Sequence, residues 1–255
     1  MIKEFLAVGI DPNKSVIFKQ SSIVEHLELY TLFQMMTPVA RLERCPTYKD
    51  LDNEQIRNFG FLGYPLLQSA DILLYDADFV PVGKDQLPHL EICKEMAKKF
   101  NFQYEKDIFK EPKEILSEFP KVLGVDGRKM SKSYNNSIEI SISDIELEQK
   151  IKSMYTDPLK MRKNDIGHPE GCMVNSFNNI YGNNIESDCK KGLIGCSECK
   201  KNLKNIISNR LNPIKEKLNN IKDDECIEIL NSGNKIAKKV AQAKMEVVKK
   251  LINID

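Results

Sequence analysis

The amino-acid sequence predicts an α/β domain up to about residue 140 and an α-helical domain beyond it. The apolar run 79–82 is a predicted strand that ends at Gly83, and a helix pattern follows it. The apolar side chains of that helix repeat at the 3-4-3 spacing of one helix face: Leu90, Cys93, Ala97 and Phe100. A strand, a glycine and a helix in this order are typical of an α/β unit, which would place residues 83–86 at the carboxyl end of a strand.

A short helix, a strand and a longer helix are predicted at the start of the chain. Residues 2–8 form the short helix, which the next glycine closes. Residues 15–19 alternate in polarity and are rich in β-branched or aromatic side chains, which predicts a strand. Ser22 and Glu25 have the spacing of a capping box, so a helix is expected to open there and run to about Met36.

Proline, glycine and capping residues divide the rest of the chain. Pro65 marks the predicted start of a helix that extends to Tyr75. Ser143 and Glu146 form a second capping box. The helix that follows it contains Leu147, Ile151, Met154 and Tyr155. Beyond this helix the pattern is mostly helical, with interruptions expected at Pro213, Gly233 and Asn234.

The overall charge does not indicate a nucleic-acid partner, because 38 basic residues stand against 37 acidic ones. A nucleic-acid ligand would need a local basic face. One candidate stretch is Lys190, Lys191, Lys200, Lys201, Lys204, Arg210, Lys215 and Lys217. The alternative for this stretch is a solvated helix face.

The sequence contains no apolar run long enough to span a bilayer, and its start does not have the pattern of a signal peptide. We therefore expect a cytoplasmic protein with no membrane partner. The 7 cysteines of such a chain are expected to be thiols or metal ligands rather than disulfides.

The loop 129–133 places two lysines and two serines behind a turn signal at Asp126-Gly127. Ammonium and hydroxyl groups suit a polyphosphate whose negative charge moves during a reaction. The alternative is an exposed polar loop. The string Lys-Met-Ser-Lys-Ser is complete, however, and continues into Tyr134-Asn135-Asn136. It resembles the KMSKS signature of the class I aminoacyl-tRNA synthetases.

Three polar side chains, Tyr64, Gln68 and Asp71, are spaced by four and three, so they share one helix face. Taken alone, such a face would be solvent-exposed, because a buried acid and amide need partners. The flanking strings change this interpretation: Ala-Asp-Ile-Leu-Leu-Tyr at 70–75 and Val-Pro-Val-Gly-Lys-Asp-Gln at 80–86. In order and spacing they closely resemble bacterial tryptophanyl-tRNA synthetases, and the resemblance covers almost the whole chain.

This resemblance implies a binding site for L-tryptophan. Asp71 matches the carboxylate that accepts the indole N–H, a group that can only donate. The other positions line the amino-acid site or orient its ammonium and carboxylate: Tyr64, Gln68, Val80, Val82 and Gln86. Many relatives have methionine where Gln68 stands. Tyrosyl-tRNA synthetases share the Tyr, Gln and Asp arrangement and remain a less favoured alternative.

The resemblance also implies an ATP site, with Mg²⁺ carried on the ATP. The implied ATP-binding residues are Gly83, Lys84, Asp85, Val122, Lys129, Met130, Ser131, Lys132 and Ser133. Asp85 would accept from the ribose, and Val122 would pack on the adenine. The amino-acid carboxylate attacks the α-phosphate, and Lys129 and Lys132 are the implied catalytic residues, which stabilise charge on the leaving pyrophosphate. The aminoacyl group then passes to tRNA(Trp).

The implied fold is an incomplete Rossmann-like nucleotide-binding domain of a class I synthetase at residues 1–140. An α-helical anticodon-binding domain follows at residues 141–255, and its last helix is a candidate for packing back on the catalytic domain. Because the family forms homodimers through the region that corresponds to residues 38–75, a homodimer is expected.

Four cysteines, Cys172, Cys189, Cys196 and Cys199, fall in one polar region. A pair spaced C-x2-C with two further cysteines nearby makes a four-thiolate metal site plausible. Their setting resembles a subset of bacterial tryptophanyl enzymes with a [4Fe–4S] cluster, although the first gap is shorter than in that subset. Structural Zn²⁺ and four independent thiols are the alternatives.

The segment with which these enzymes begin, a strand and a HIGH-type histidine/glycine signature, has no counterpart in this sequence. The favoured explanation is a mis-assigned start codon or a fragmentary gene model of an authentic tryptophan–tRNA ligase. The competing interpretation is a non-catalytic truncated paralogue or fragment that binds tRNA or partner chains. In either case we expect little or no tryptophan-dependent ATP–pyrophosphate exchange from this chain alone.

Overall fold

The computed structural model describes residues 1–49, 57–116, 122–128, 130–131 and 134–254. The chain divides into two compact units. The first unit consists of Met1–Asp11 and Lys121–Asp223, and the second of Pro12–Pro120 and Asp224–Asp255. Each unit is therefore assembled from two separate stretches of the chain.

The second unit combines helices with a two-stranded parallel sheet. Strand β1 (Phe79–Pro81) pairs with β2 (Lys113–Ile115), with Phe79 opposite Lys113. Its helices are α2 (Glu25–Met36), α3 (Val39–Glu43), α4 (Pro46–Lys49), α5 (Phe59–Leu73), α6 (Leu87–Gln103) and α11 (Asp223–Leu251), of which all but the first residue of α11 belong to this unit. Phe33, Leu66 and Phe100 lie in one apolar core with Ala241 of α11. Full burial of each large side chain contributes about 1.5–3 kcal/mol.

Helices joined by irregular segments make up most of the described part of the first unit. Its helices are α1 (Ile2–Ala7), α7 (Asp144–Ser153), α8 (Met173–Ile180), α9 (Glu186–Lys190) and α10 (Cys196–Asn220). Leu147, Val174 and Ile207, from three of these helices, share a second apolar core. That core holds the helices together, because each helix alone exposes an apolar stripe.

Several predicted elements are confirmed. The first helix is closed by Gly9, whose φ of 107° only glycine adopts readily. The capping box at α7 is complete, with Ser143 accepting from the Glu146 backbone and Glu146 bonding back. The strand, Gly83 and helix succession is present as β1 and α6, and the predicted apolar face of α6 is buried. Caps and helix periodicity are local, so the sequence identifies them directly.

The predicted strand at residues 15–19 is wrong, because the structure shows no strand pairing there. The segment lies instead against helix α11. The Lys19 backbone N–H donates to Asn234 Oδ1 over 2.8 Å. At Gly233, an added Cβ would stand 1.9 Å from the Ile17 carbonyl oxygen. An alternating pattern predicts extended backbone, but only tertiary packing decides whether a strand or a helix becomes its partner.

Helix boundaries marked by proline and by the Ser22 box also differ from expectation. Helix α5 begins six residues before Pro65, where the Asn58 side chain accepts from the Phe61 backbone at 2.9 Å. Ser22 lies in a 3-10 turn and makes no side-chain cap of α2. The interruptions predicted at Pro213, Gly233 and Asn234 are wrong, because all three residues lie inside helices. In α10 the burial of Leu203, Ile207 and Leu211 offsets the cost of the interior proline, about 3 kcal/mol.

Candidate functional site

The Asp71 carboxylate on α5 is held by two residues that the sequence did not single out. Its Oδ1 lies 2.6 Å from His26 Nδ1 on α2. The Gln20 side-chain amide donates to both oxygens, over 2.7 Å to Oδ1 and 2.8 Å to Oδ2. His26 Nε2 in turn lies 2.8 Å from the Tyr75 hydroxyl. Burial raises the pKa of Tyr75, so this phenol keeps its proton.

These contacts leave little acceptor capacity on Asp71 within the described residues. A carboxylate offers about four lone-pair positions. His26 and Gln20 occupy both positions of Oδ1, and Gln20 occupies one of Oδ2. One position on Oδ2 therefore stays available for a donor. No sequence pattern could have identified Gln20 or His26, because they lie 51 and 45 residues from Asp71.

A second polar network joins Tyr64 on α5 to Gln86 through His89 on α6. The Tyr64 hydroxyl lies 2.9 Å from His89 Nε2, and the Thr47 hydroxyl lies 3.1 Å from the same nitrogen. On the other side of the ring, His89 Nδ1 lies 3.0 Å from Gln86 Oε1. The Gln86 amide nitrogen donates to Asp85 over 3.3 Å. Burial lowers the pKa of His89 and raises that of Tyr64.

The remaining predicted tryptophan positions lie on helix α5 and on or just after strand β1. Gln68, one turn from Tyr64 and from Asp71 on α5, has a buried Oε1 atom with no partner among the described residues. Such an orphaned acceptor indicates a missing donor. Val80 is half-buried at the centre of β1. The Val82 backbone N–H donates to the Ile115 carbonyl over 3.0 Å, which fixes the chain just before Gly83.

The predicted ATP residues of the second unit, Gly83, Lys84 and Asp85, come directly after Val82 in the chain. Gly83 precedes a 3-10 turn made by Lys84, Asp85 and Gln86. Lys84 and Asp85 are exposed, and the turn opens helix α6. Two exposed side chains of opposite charge at a helix start can reach a phosphate and a sugar hydroxyl.

The lysine loop belongs to the first unit. Lys129, Lys132 and Ser133 lie outside the described residues. Met130 packs against the apolar core of that unit, and the Ser131 backbone N–H donates to Asn136 Oδ1 over 2.8 Å. Val122 is half-buried. The two described members of the loop, Met130 and Ser131, are therefore both held by contacts within the unit.

Asn136 joins Ser131 of the lysine loop to Asp126 of the preceding turn. Its side-chain oxygen accepts from the Ser131 backbone, and its side-chain nitrogen donates to Asp126 Oδ1 over 2.8 Å. Together with Arg128, that hydrogen bond lowers the pKa of Asp126 to about 2. Gly124 leaves room for Asn136, because an added Cβ would come within 2.2 Å of its side-chain nitrogen. The sequence showed Asn136 only as part of the extended signature, without a role.

All four predicted metal-ligand cysteines line one small cavity in the first unit. Desolvation raises the pKa of Cys189, and that of Cys199 to about 12. Within the described ranges, however, no group of three or more His, Cys, Asp or Glu side chains is arranged to hold a metal ion. The predicted [4Fe–4S] cluster and its zinc alternative therefore receive no support from the geometry.

A cleft of about 430 Å³ in the same unit is lined by lysines of α7 and α10. Lys152 pairs with Glu148 over 2.6 Å, and Lys200 donates to the Lys152 carbonyl over 2.7 Å. Lys201 and Lys204 complete the basic wall. Three of the predicted basic residues are thus brought to one concave surface.

No described helix is both long and apolar enough to cross a membrane.

Comparison with known sequences gives a consistent result. The profile of the family described as tRNA synthetases class I (W and Y) matches residues 1–212. A tryptophan–tRNA ligase of Thermotoga maritima is 45% identical over 266 residues, which cover 100% of this chain and 81% of that relative. A tryptophan–tRNA ligase of Aquifex aeolicus is 37% identical and covers 98% of this chain and 84% of its own length.

Solved structures agree with the sequence comparison. Tryptophanyl-tRNA synthetase from Campylobacter jejuni, complexed with ADP and tryptophan, has a TM-score of 0.85 and 35% identity. The match covers 99% of this chain and 81% of that one. The enzyme of Mycoplasma pneumoniae has a TM-score of 0.81 and 26% identity, over 100% and 81% of the two chains. The predicted α/β class I synthetase fold is therefore confirmed.

Proposed function

Because the chain belongs to the tryptophan and tyrosine family of class I tRNA synthetases, we propose that it acts as a tryptophan–tRNA ligase. The reaction joins L-tryptophan and MgATP to tryptophanyl-adenylate and transfers the aminoacyl group to tRNA(Trp). The observation that carries this function is the 45% identity with a tryptophan–tRNA ligase along the entire chain. The tyrosyl alternative is not favoured, because the relatives reported above are tryptophan enzymes.

In the proposed site, the indole N–H donates to the open position on Asp71 Oδ2. This assignment is supported by the three contacts that already orient the carboxylate. Gln68 supplies an unpaired acceptor on the same helix face, and Val80 and Val82 are the apolar positions of the site. Tyr64 and Gln86 take the ammonium and carboxylate of the amino acid. A preoriented site of this kind loses little entropy on binding.

For ATP we propose contacts from Gly83, Lys84, Asp85 and Val122. The lysine loop, residues 129–133, contributes its ammonium groups and hydroxyls to the phosphates. No side-chain nucleophile is needed, since the tryptophan carboxylate attacks the α-phosphate. The two loop lysines stabilise the charge that builds on pyrophosphate. The Asn136 contacts support this role, because they hold Ser131 and Asp126 around the loop.

The further features of the family are part of the same proposal. They are a division near residue 140 into catalytic and tRNA-binding parts, a homodimer formed through residues 38–75, and a cytoplasmic location. Mg²⁺ enters with ATP. The iron–sulfur cluster is not included, since the described cysteines do not form a metal-binding group.

The first prediction is selective binding of L-tryptophan by the purified chain. The protein contains no tryptophan, so fluorescence of the bound indole can be followed without a protein tryptophan background. We expect saturable binding of L-tryptophan and at least tenfold weaker binding of L-tyrosine, measured in parallel by calorimetry. Equal affinity for both amino acids, or tighter tyrosine binding, would contradict the tryptophan assignment.

The second prediction concerns the lysine cleft. Replacing Lys201 and Lys204 with glutamate should weaken tRNA binding. It should also reduce the magnitude of the negative slope of log affinity against log salt by about 1 to 2, since each lost phosphate contact removes about 0.7–0.9. Fluorescence anisotropy with labelled tRNA at several salt concentrations measures both. The same change at Lys238 and Lys239, exposed on α11, is the matched control. An equal loss in this control would show a general charge effect instead of a site.

A further inference from the structure

His89 occupies an unusual position between two proposed ligand contacts. Its side chain is 1% exposed and stands edge-on to the Tyr64 ring, with ring centres 5.0 Å apart and planes at 87°. Burying an imidazole is costly unless both nitrogens find partners. Here each nitrogen does: Nε2 meets Tyr64 and Thr47, and Nδ1 meets Gln86.

The hydrogen-bond partners determine where the proton of His89 lies. The Gln86 amide nitrogen faces the Asp85 carboxylate, which requires a donor, so the Gln86 oxygen faces the imidazole. A carbonyl oxygen only accepts, and therefore Nδ1 of His89 carries the proton. Because the ring is neutral, its Nε2 has one lone pair and accepts one hydrogen bond. The Tyr64 hydroxyl, at 2.9 Å, is nearer than the Thr47 hydroxyl, at 3.1 Å, so Tyr64 is assigned as the donor to Nε2.

This arrangement sets the polarity of both ligand contacts. With its proton committed to His89, Tyr64 presents only oxygen lone pairs, which suit an ammonium group that can only donate. The Gln86 amide nitrogen has two hydrogens and donates one to Asp85, so the second can serve a carboxylate, which can only accept. A rotated Tyr64 hydroxyl or a flipped Gln86 amide would present the opposite polarity.

We propose that His89 is a positioning residue for the α-amino acid end of tryptophan, acting through Tyr64 at Nε2 and through Gln86 at Nδ1. The role rests on the proposed function, and it separates the polar end of the ligand from the indole end, which Asp71 serves. His89 itself touches neither the substrate nor the reacting atoms.

Two conservative substitutions test the two contacts of His89 separately, the one with Tyr64 and the one with Gln86. In His89→Asn, the amide nitrogen replaces the Nδ1 donor to Gln86 and the Tyr64 contact is lost. In His89→Gln, the amide oxygen replaces the Nε2 acceptor for Tyr64 and the Gln86 contact is lost. We expect each variant to raise the Kd for L-tryptophan about three- to tenfold, the effect of one neutral hydrogen bond.

Two ligand analogues show which half has been lost. Indole-3-propionate lacks the ammonium, so His89→Asn should leave its Kd unchanged. Tryptamine lacks the carboxylate, so His89→Gln should leave its Kd unchanged. Tyr64→Phe should reproduce the pattern of His89→Asn, and the double variant should show no added loss, because both changes remove the same interaction. This variant keeps the test decisive if a His89 variant does not fold.

The controls distinguish this inference from the function on which it rests. His168→Asn changes a histidine of the first unit that bonds to Asp157, and it should leave every Kd unchanged. Equal losses for tryptophan and both analogues, or no loss at all, would overturn the positioning role while tryptophan binding by the wild type stands. If the wild type binds no L-tryptophan, the proposed function fails, and the role of His89 fails with it.

Discussion

Replacing Asp71 with asparagine is expected to weaken L-tryptophan binding about ten- to hundredfold. A hydrogen bond to a charged acceptor is worth about 1.5–3 kcal/mol, compared with about 1 kcal/mol for a neutral one. The proposed partner, the indole N–H, can only donate, so no other group of tryptophan can replace the lost contact.

The contacts of Asp71 make the effect larger than a simple loss of charge. Gln20 and His26 both present donors to this carboxylate. An asparagine has one acceptor oxygen. An amide nitrogen at the Oδ1 position would face donors of both Gln20 and His26, so the oxygen is expected to take that position. The nitrogen then takes the Oδ2 position, where it opposes the indole N–H, another donor.

Asp78→Asn is the matched control for this substitution. Asp78 lies in the same unit, is exposed, and pairs loosely with Lys110 over 3.6 Å. Its replacement should leave the Kd for L-tryptophan within twofold of wild type. The measurement is a fluorescence or calorimetric titration, with urea unfolding to show that both variants fold. An Asp71→Asn protein that binds L-tryptophan as the wild type does would exclude Asp71 as the indole acceptor.

Replacing Gly233 with alanine is expected to lower the free energy of unfolding by about 1–3 kcal/mol. The sign is informative, because helix propensity alone predicts the reverse: alanine is favoured over glycine inside a helix by about 1 kcal/mol. The added Cβ would stand 1.9 Å from the Ile17 oxygen and 2.8 Å from its carbonyl carbon. Both are backbone atoms, so the whole segment would have to move away from α11.

Ser232→Ala is the control for Gly233→Ala. Ser232 is the preceding residue of the same helix and is exposed, so its replacement should leave stability unchanged or raise it slightly. Chemical denaturation of both variants under identical conditions measures the difference. A Gly233→Ala protein more stable than wild type would show that helix propensity decides at this position and that the contact with Ile17 is not tight.

The proposed tryptophan site illustrates how far sequence reasoning extends. The common helix face of Tyr64, Gln68 and Asp71 follows from their spacing, and the structure places all three on α5. Their partners do not follow from any local pattern. His26 comes from α2 and His89 from α6, and each meets its partner only because the helices pack against one another.

The sequence by itself determined the features whose cause lies within about four residues along the chain. The capping box of Ser143, the closure of α1 at Gly9 and the apolar face of α6 are of this kind, since a cap or a helix period involves only near neighbours. The motif resemblance added the family in the same local way, by residue types at fixed spacing.

Only the tertiary structure decided what distant segments do to one another. Residues 15–19 have the pattern of a strand but pack on a helix, and Gly233 looks like a helix end but makes room for Ile17. The orientation of Asp71 and of Tyr64, both on α5, depends in the same way on two histidines from other helices. The physical reason is that hydrogen-bond and packing energies depend on which atoms come into contact. For residues far apart in the sequence, those contacts are set only when the core forms.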